Sequence, residues 1–346
     1  MVLYIEESSS KKSEPQSLNN IFAHARTALW YGLQQLPMKR GQTMLVPDYI
    51  CEVVLHPLQD LGIRVVFYPV NDNFAPDWEI IEKIQINKPA QAFLLVHYFG
   101  QPQDIERAKA FCNQNVLWLI EDNSHGYGGT LNGQPLGSFG DLGISSPRKQ
   151  LRRPSGGILF LRGKPIDQIT EKLSDYQISR GKDFLRFLVR PFPRIKAGLI
   201  QILRPEPDFS DPSAFPEIRM EYQMADRNSA RRILSENWFN HAISRREAWK
   251  EWSNFSLENG LHPVWEIPHP ESCPWVMPVY VSSQEERLYW IRWSRKNGVD
   301  VFPWPSLPES LLKSSSTAVD RWLRLLCFPL QQIPKKKFTH KKPYVT

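Results

Sequence analysis

From about residue 20 to residue 121 the sequence alternates between short apolar runs and longer stretches with helical spacing, and this constrains the fold more than any other feature. Residues Ile21 to Leu36 read as a helix, Thr43 to Val46 as a strand, and Cys51 to Leu61 as a helix. Arg64 to Pro69 reads as a strand, Trp78 to Ile84 as a helix, and Ala92 to Tyr98 as a buried strand. Asp104 to Gln114 is a predicted helix and Val116 to Glu121 another apolar strand. Strands joined through helices pair in parallel and must be covered on both faces, so the pattern predicts an α/β fold. The chain has 346 residues, 41% of them hydrophobic and 12% aromatic, which suffices for a packed core and excludes a disordered chain.

Past Gly157-Ile158-Leu159-Phe160 the pattern changes. Residues 160–218 are rich in Pro, Arg and Phe and read as an insertion. A long amphipathic stretch from Met224 to Asn254, a strand from Trp275 to Val281, a helix from Glu285 to Asn297 and a strand from Val299 to Phe302 then predict a smaller α+β domain. The expected division is residues 1–222 for a large α/β domain and 223–346 for the small one.

Several function classes fall away on composition. Cys51, Cys112, Cys273 and Cys327 are far apart, with no Cys-x-x-Cys and no His pair, so neither zinc nor a disulfide framework is expected. The first residues lack the apolar run of a signal peptide and no segment approaches the ~18 apolar residues of a membrane span, which makes the cytoplasm the expected compartment. A net charge of +7 decides nothing by itself. The basic stretch 180–204 has the composition of a membrane-surface or nucleic-acid-binding segment. However, Phe192 between Pro191 and Pro193 interrupts any long helix, and an interdomain segment with solvated Arg residues accounts for it as well.

In parallel sheets ligands collect at the carboxyl ends of strands. The string Leu117-Trp118-Leu119-Ile120-Glu121-Asp122 delivers Asp122 to such an end; alone, an Asp there is more often a helix cap or a turn former. Lys149 lies on a turn after Gly140-Asp141-Leu142-Gly143, where a desolvated amine becomes a nucleophile, although a basic run of Arg148, Lys149, Arg152 and Arg153 is ordinarily a wet surface. Two other motifs fail. Gly126-Tyr127-Gly128-Gly129 lacks the third glycine of a dinucleotide fingerprint, having Leu131 there, and Ser146-Pro147-Arg148-Lys149 lacks the companion motifs of penicillin-recognising enzymes.

The motifs make sense in order. Ala25-Arg26-Thr27-Ala28-Leu29, Val46-Pro47-Asp48-Tyr49, Val96-His97-Tyr98-Phe99-Gly100, Glu121-Asp122-Asn123-Ser124-His125-Gly126, Gly140-Asp141-Leu142-Gly143, Lys149 and Gly156-Gly157 together resemble the DegT/StrS-type sugar aminotransferases. The resemblance extends to Met224–Arg246 and to Val299-Asp300-Val301-Phe302-Pro303-Trp304-Pro305. It implies a fold-type I architecture with a mostly parallel seven-stranded sheet, a homodimer and pyridoxal 5'-phosphate as cofactor. It further implies transfer of an amino group from glutamate to a keto group of a nucleotide-linked sugar. Lys149 would hold the cofactor as a Schiff base and then move the proton, and Asp122 would pair with the pyridine nitrogen. His125 would lie by the ring oxygen. Arg26, Thr27 and Ala28 would meet the phosphate at a helix N-terminus, with Ser146 adding a hydroxyl.

Three positions depart from the family. Arg26 stands where a small residue is common, and Cys51 where an aromatic stacks on the ring, a place Tyr49 could take. Glu221 stands where many members carry an Asn that reaches the partner subunit's cofactor phosphate, and an acid there repels the phosphate. The departures keep a second reading open, a catalytically inactive or regulatory homologue, against which the retention of Lys149 and Asp122 argues.

Overall fold

The computed structural model describes residues 21–162, 173–175, 222–314 and 316–333. The basic stretch 180–204, most of the expected insertion, and Glu221 lie outside them. In chain order the first elements are β1 (Ile21–Phe22), α1 (Ala25–Leu33), β2 (Thr43–Pro47), α2 (Leu55–Asp60), β3 (Arg64–Tyr68), α3 (Trp78–Asn87), β4 (Ala92–Val96), α4 (Ile105–Asn115) and β5 (Trp118–Asn123). They continue with a hairpin of β6 (Thr130–Leu131) and β7 (Gln134–Pro135), then β8 (Leu142–Ser145), α5 (Pro147–Leu151), β9 (Gly157–Leu161), β10 (Ser174–Asp175) and β11 (Gln223–Met224).

The large sheet runs β10-β11-β1-β9-β8-β5-β4-β2-β3. The β3, β2, β4, β5 and β8 ladders are parallel, whereas β9 is antiparallel to β8 and β1 to β9. Among the described residues nine strands stand where seven were expected, because the two-residue β10 and β11 extend one edge. The central strands β2, β4 and β8 are buried along their whole length because both faces are covered. Tyr68 stacks on Phe93 with centroids 5.0 Å apart, and Trp78 of α3 and Phe111 of α4 close on Phe93 at 5.6 and 5.5 Å. Asp77 and Asp104 cap α3 and α4 by accepting the Ile80 and Arg107 N–H groups.

After Met224 come α6 (Arg227–Leu234), α7 (Trp238–Glu258), β12 (His262–Pro263), β13 (Val276–Tyr280), α8 (Gln284–Asn297), α9 (Glu309–Ser314), α10 (Ser316–Arg324) and β14 (Leu325–Pro329). A second, antiparallel sheet has the order β12-β13-β14. Its core gathers Trp249, Trp252 and Phe255 of α7, Trp290 and Trp293 of α8, and Phe328 of β14. Trp304, Trp322 and Cys327 instead join the core of the large sheet, so the C-terminal segment packs across both layers.

Four expected elements differ. Ile21 and Phe22 are strand rather than helix, because their backbones pair with Ile158, Gly157 and Met224, and α1 begins only after the extended His24. The segment at Cys51–Leu61 opens with a single 3-10 turn over Glu52–Val54 before α2. The stretch from Met224 to Asn254 divides into α6 and α7, the second capped by Asn237 through the Asn240 N–H. Val299–Phe302 contributes one bridge, Phe302 to Cys327, whereas the strand beside β13 is β14. Among the described residues no helix is long and apolar enough to cross a membrane, and no group of His, Cys, Asp and Glu could hold a metal ion.

Candidate active site

The site is built by the loop that closes on β5. Glu121 is fully buried and receives the N–H groups of Gly137, Phe139 and Gly140 together with the His97 ring, whose Nε2 lies 2.9 Å from Glu121 Oε2. His97 Nδ1 accepts the Gln103 N–H at 3.1 Å, which leaves Nε2 as the donor to Glu121. Burial pushes the Glu121 carboxyl up, but His97 and the Gly140 and Gly137 amides more than offset this and hold it below the usual carboxylate range. The glycines of Gly140-Asp141-Leu142-Gly143 have a steric reason. A Cβ on Gly140 would lie 2.6 Å from the Leu119 carbonyl oxygen, and one on Gly143 would overlap the Gly137 backbone. Asp141 closes the same turn, its Oδ2 accepting the Leu119 N–H at 2.9 Å.

This frame sets the chemistry-bearing residues at the carboxyl ends of adjacent strands. Asp122 pairs in register with Val96 on one side and Ile144 on the other, and Lys149 follows from β8 in the first turns of α5. Asp122 is buried and accepts the Ser124 N–H at 2.8 Å. Lys149 is half-buried, and its Nζ lies over the Trp275 ring at 4.9 Å from the centroid. Burial lowers its pKa to about 8, with Arg148 also lowering it, while Asp122 and Cys51 hold it up. An ordinary surface lysine would be almost wholly protonated near neutrality; this one keeps an appreciable neutral fraction.

His125 is buried between Trp275 and Trp304, at ring distances of 4.8 and 4.7 Å, and stacks on Phe99 at 5.7 Å. Its Nδ1 accepts the Phe99 N–H at 3.2 Å, and burial followed by the nearby Lys149 charge takes its pKa well below the ordinary histidine value. It is a neutral imidazole with Nε2–H as its donor, suited to holding an oxygen and unsuited to cycling protons near pH 7. Arg245 fastens this wall, donating to the Trp275 carbonyl oxygen at 2.9 Å and the Gln150 carbonyl oxygen at 2.7 Å.

Arg26, Thr27 and Ala28 form the first turn of α1 and are buried; Ser146 precedes α5 and is buried as well. Of the two residues expected at the ring, Cys51 comes within electrostatic reach of Lys149, its Sγ 3.8 Å from Ser306 Oγ. Tyr49 does not join that group. It is fully buried, packed on Phe74 and Trp304, with its hydroxyl donating to the Trp304 carbonyl oxygen at 2.5 Å. Nothing in the sequence marks Trp275 as part of the site, since its one signal is its position at the start of a strand.

The sequence profile of the DegT/DnrJ/EryC1/StrS aminotransferase family matches residues 22–190, the stretch that supplies Asp122, His125 and Lys149. Over that stretch the chain is similar to this family. GDP-perosamine synthase of Vibrio cholerae is 25% identical over 170 residues, 48% of this chain and 46% of the synthase, so the match spans less than half of that relative. Among solved DegT-like folds, Helicobacter pylori PseC, an aminotransferase of pseudoaminic acid biosynthesis, superposes with a TM-score of 0.64 over 89% of this chain and 80% of its own, at 13% identity. An Escherichia coli GDP-4-keto-6-deoxy-D-mannose-3-dehydratase with bound hydrated PLP gives 0.61 over 91% and 83%, at 15% identity. The shared architecture is that of fold-type I enzymes.

The lowered Lys149 pKa carries a pH prediction. Below pH about 8 the amine protonates, so the rate at which the cofactor-free protein adds an aldehyde falls about tenfold per pH unit, and above it the rate levels off. The linkage sign is that of a depressed lysine: the unfolded chain binds more protons between the folded and ordinary pKa values, so stability rises with pH through that window. Stopped-flow absorbance against pH reads the first effect and thermal melts the second; a rate still rising steeply at pH 10 would contradict the assignment.

Proposed function

We propose that this chain is a pyridoxal-phosphate-dependent aminotransferase that moves an amino group from glutamate to a keto group of a nucleotide-linked sugar, working as a homodimer in the cytoplasm. The observation that carries the reading is the convergence of a lysine of lowered pKa, a buried carboxylate and a neutral buried imidazole at one strand-end site. Those residues fit the cofactor: Lys149 Nζ as the attachment point, Asp122 for the ring nitrogen, His125 Nε2–H for the ring oxygen, and the α1 N-terminus for the phosphate. Pyridoxal phosphate, when bound, supplies an aldehyde that condenses with amines and a ring that withdraws electrons from the substrate carbon.

The chain's own groups account for the rest. Lys149, as a free amine of near-neutral pKa, can take and return a proton at Nζ, whereas His125 cannot at pH 7. Asp122, as a carboxylate, favours a protonated ring nitrogen. Trp275, Trp304 and Phe99 exclude water around His125, which strengthens each of these interactions. The sugar-nucleotide class and the reaction type are supported by the family profile over residues 22–190 and by the activity of the similar Vibrio cholerae synthase.

The test is a visible absorption spectrum of the purified chain with added pyridoxal phosphate, followed by glutamate and then a panel of nucleotide-linked keto sugars. The reading requires a Lys149-dependent band that glutamate bleaches and a keto sugar restores. A band indifferent to every amine donor would favour the regulatory homologue. Asp122→Asn is expected to bind the cofactor but react on the order of 10²-fold more slowly, because an amide no longer favours the charged pyridinium. Single-turnover kinetics with glutamate checks this, and unchanged rates would remove Asp122 from its role.

A further inference from the structure

We infer that Arg245 and Gln150 are positioning residues that hold the Lys149 turn of α5 against the Trp275 wall of the site. The inference rests on the reading of Lys149 as the reacting amine and adds the device that aims it.

Lys149 projects from a helix of five residues, Pro147–Leu151, and so short a helix has too few bonds of its own to fix a direction. Its neighbour Gln150 is buried, and the Gln150 Nε2 donates to the Cys273 carbonyl oxygen at 2.7 Å. Arg245, two turns into α7 and 3% exposed, spans the same gap. Its guanidinium donates to the Gln150 carbonyl oxygen at 2.7 Å and to the Trp275 carbonyl oxygen at 2.9 Å, while its Nε meets His241 Nε2 at 3.1 Å. Two side chains thus tie α5 to residues 273–275. A guanidinium presents its donors in a rigid fork, so one group can bridge carbonyls from two elements, which an ammonium cannot do.

The segment they hold is itself fixed. The Trp275 N–H donates to the Phe99 carbonyl oxygen at 3.3 Å, and Phe99 donates its own N–H to His125 Nδ1 at 3.2 Å. Gly100 packs so closely that a Cβ there would fall 2.9 Å from Pro274 Cα. Lys149 Nζ lies over the Trp275 ring, and the His125 ring lies 4.8 Å from that indole. Trp275 is therefore the common reference for the amine and the imidazole, and bonds that start on α7 and α5 set its distance from Lys149. Asp122 of β5, Cys51 and Arg148 are the charged or titratable groups that act on Lys149, with His125 on the same wall; Arg245 is not among them. Taking Arg245 away changes the surroundings of Nζ by displacement, letting water reach it, and not by removing a neighbouring charge.

The experiment reads the Lys149 amine directly in the full cofactor-free chain, by trace acetylation with acetic anhydride over a pH series and mass spectrometry of the peptide that carries it. Wild type is compared with Arg245→Met, Arg245→Lys and Gln150→Met. Loss of the bridge is expected to raise the Lys149 midpoint by about one pH unit in Arg245→Met, toward the ordinary lysine value. Arg245→Lys should fall between, and Gln150→Met should shift the same way by less. With that shift the rate at which pyridoxal phosphate adds at neutral pH drops about tenfold. Affinity for pyridoxamine phosphate, which has no aldehyde to attach, should stay at the wild-type value. An arginine that served the fold alone would lower the melting temperature and leave the midpoint where it was. A wild-type midpoint in folded Arg245→Met therefore overturns the inference, as does an equal loss of pyridoxamine phosphate affinity, which would mean that the whole pocket had collapsed. If Arg245→Met does not fold, Gln150→Met decides, and a wild-type midpoint there overturns the inference in the same way. Wild-type protein that takes up neither cofactor form overturns the cofactor reading, and the acetylation midpoints, which need no cofactor, still judge the positioning of Lys149.

Discussion

Lys149→Ala is expected to lose the visible band formed with pyridoxal phosphate and to lower aminotransferase turnover on the order of 10⁴-fold or more, while melting no lower than wild type. The chemical loss is large because Lys149 is asked for two functions, attachment and proton movement, and His125, the neighbouring candidate base, is held neutral by burial. The fold should tolerate the change. The amine makes a single described ring contact, over Trp275, and the α5 backbone bond from Lys149 N–H to the Ser146 carbonyl oxygen needs no side chain. Removing a lysine whose pKa is lowered by burial also removes a desolvation cost, so the melting temperature of the cofactor-free variant should stay level or rise. Absorbance titration, turnover with a nucleotide-linked keto sugar and differential scanning calorimetry check the three parts. Retention of turnover would remove Lys149 from the reaction whatever the spectrum shows.

The parallel half of the fold was legible because its signal is local. Ala92–Val96 and Trp118–Asn123 are short apolar runs between capped helices, and each emerged as a strand within two residues of its expected limits. Ile21 and Phe22 were illegible for the opposite reason. Their pairing partners, Gly157, Ile158 and Met224, are more than a hundred residues away, and helical spacing across Ile21–Leu36 concealed a strand whose hydrogen bonds are all long-range. The same distance hid Trp275 and Trp304, which reach His125 only after the second sheet has packed on the first. Asp122, His125 and Lys149 were singled out through motif order, whereas the work of Glu121, one residue before Asp122, became visible only once the loop at Gly137–Gly140 was seen folded onto it.

Glu121→Ala is therefore expected to cost more stability than any substitution at the reacting residues. It leaves the N–H groups of Gly137, Phe139 and Gly140 and the Nε2–H of His97 without their acceptor in a site closed to water. Breaking a buried ionic network costs about 3–5 kcal/mol, against about 5–15 kcal/mol for a whole domain. Glu121→Gln should lose less, because its remaining carbonyl oxygen still accepts from part of the loop. Urea denaturation should rank wild type above Gln and Gln above Ala. The displaced loop feeds β8 and then Lys149, so Ala should also bind pyridoxal phosphate poorly, in contrast to Asp122→Asn, which alters rate at wild-type stability. Acid should mimic the substitution. A carboxyl held below its ordinary pKa in the folded state stabilises the protein above that ordinary value, and the contribution is lost as pH falls through the folded pKa. Wild type should accordingly destabilise in acid more steeply than Glu121→Gln, which has no proton to gain there. Coincident acid transitions for the two would show that another carboxylate carries the pH dependence.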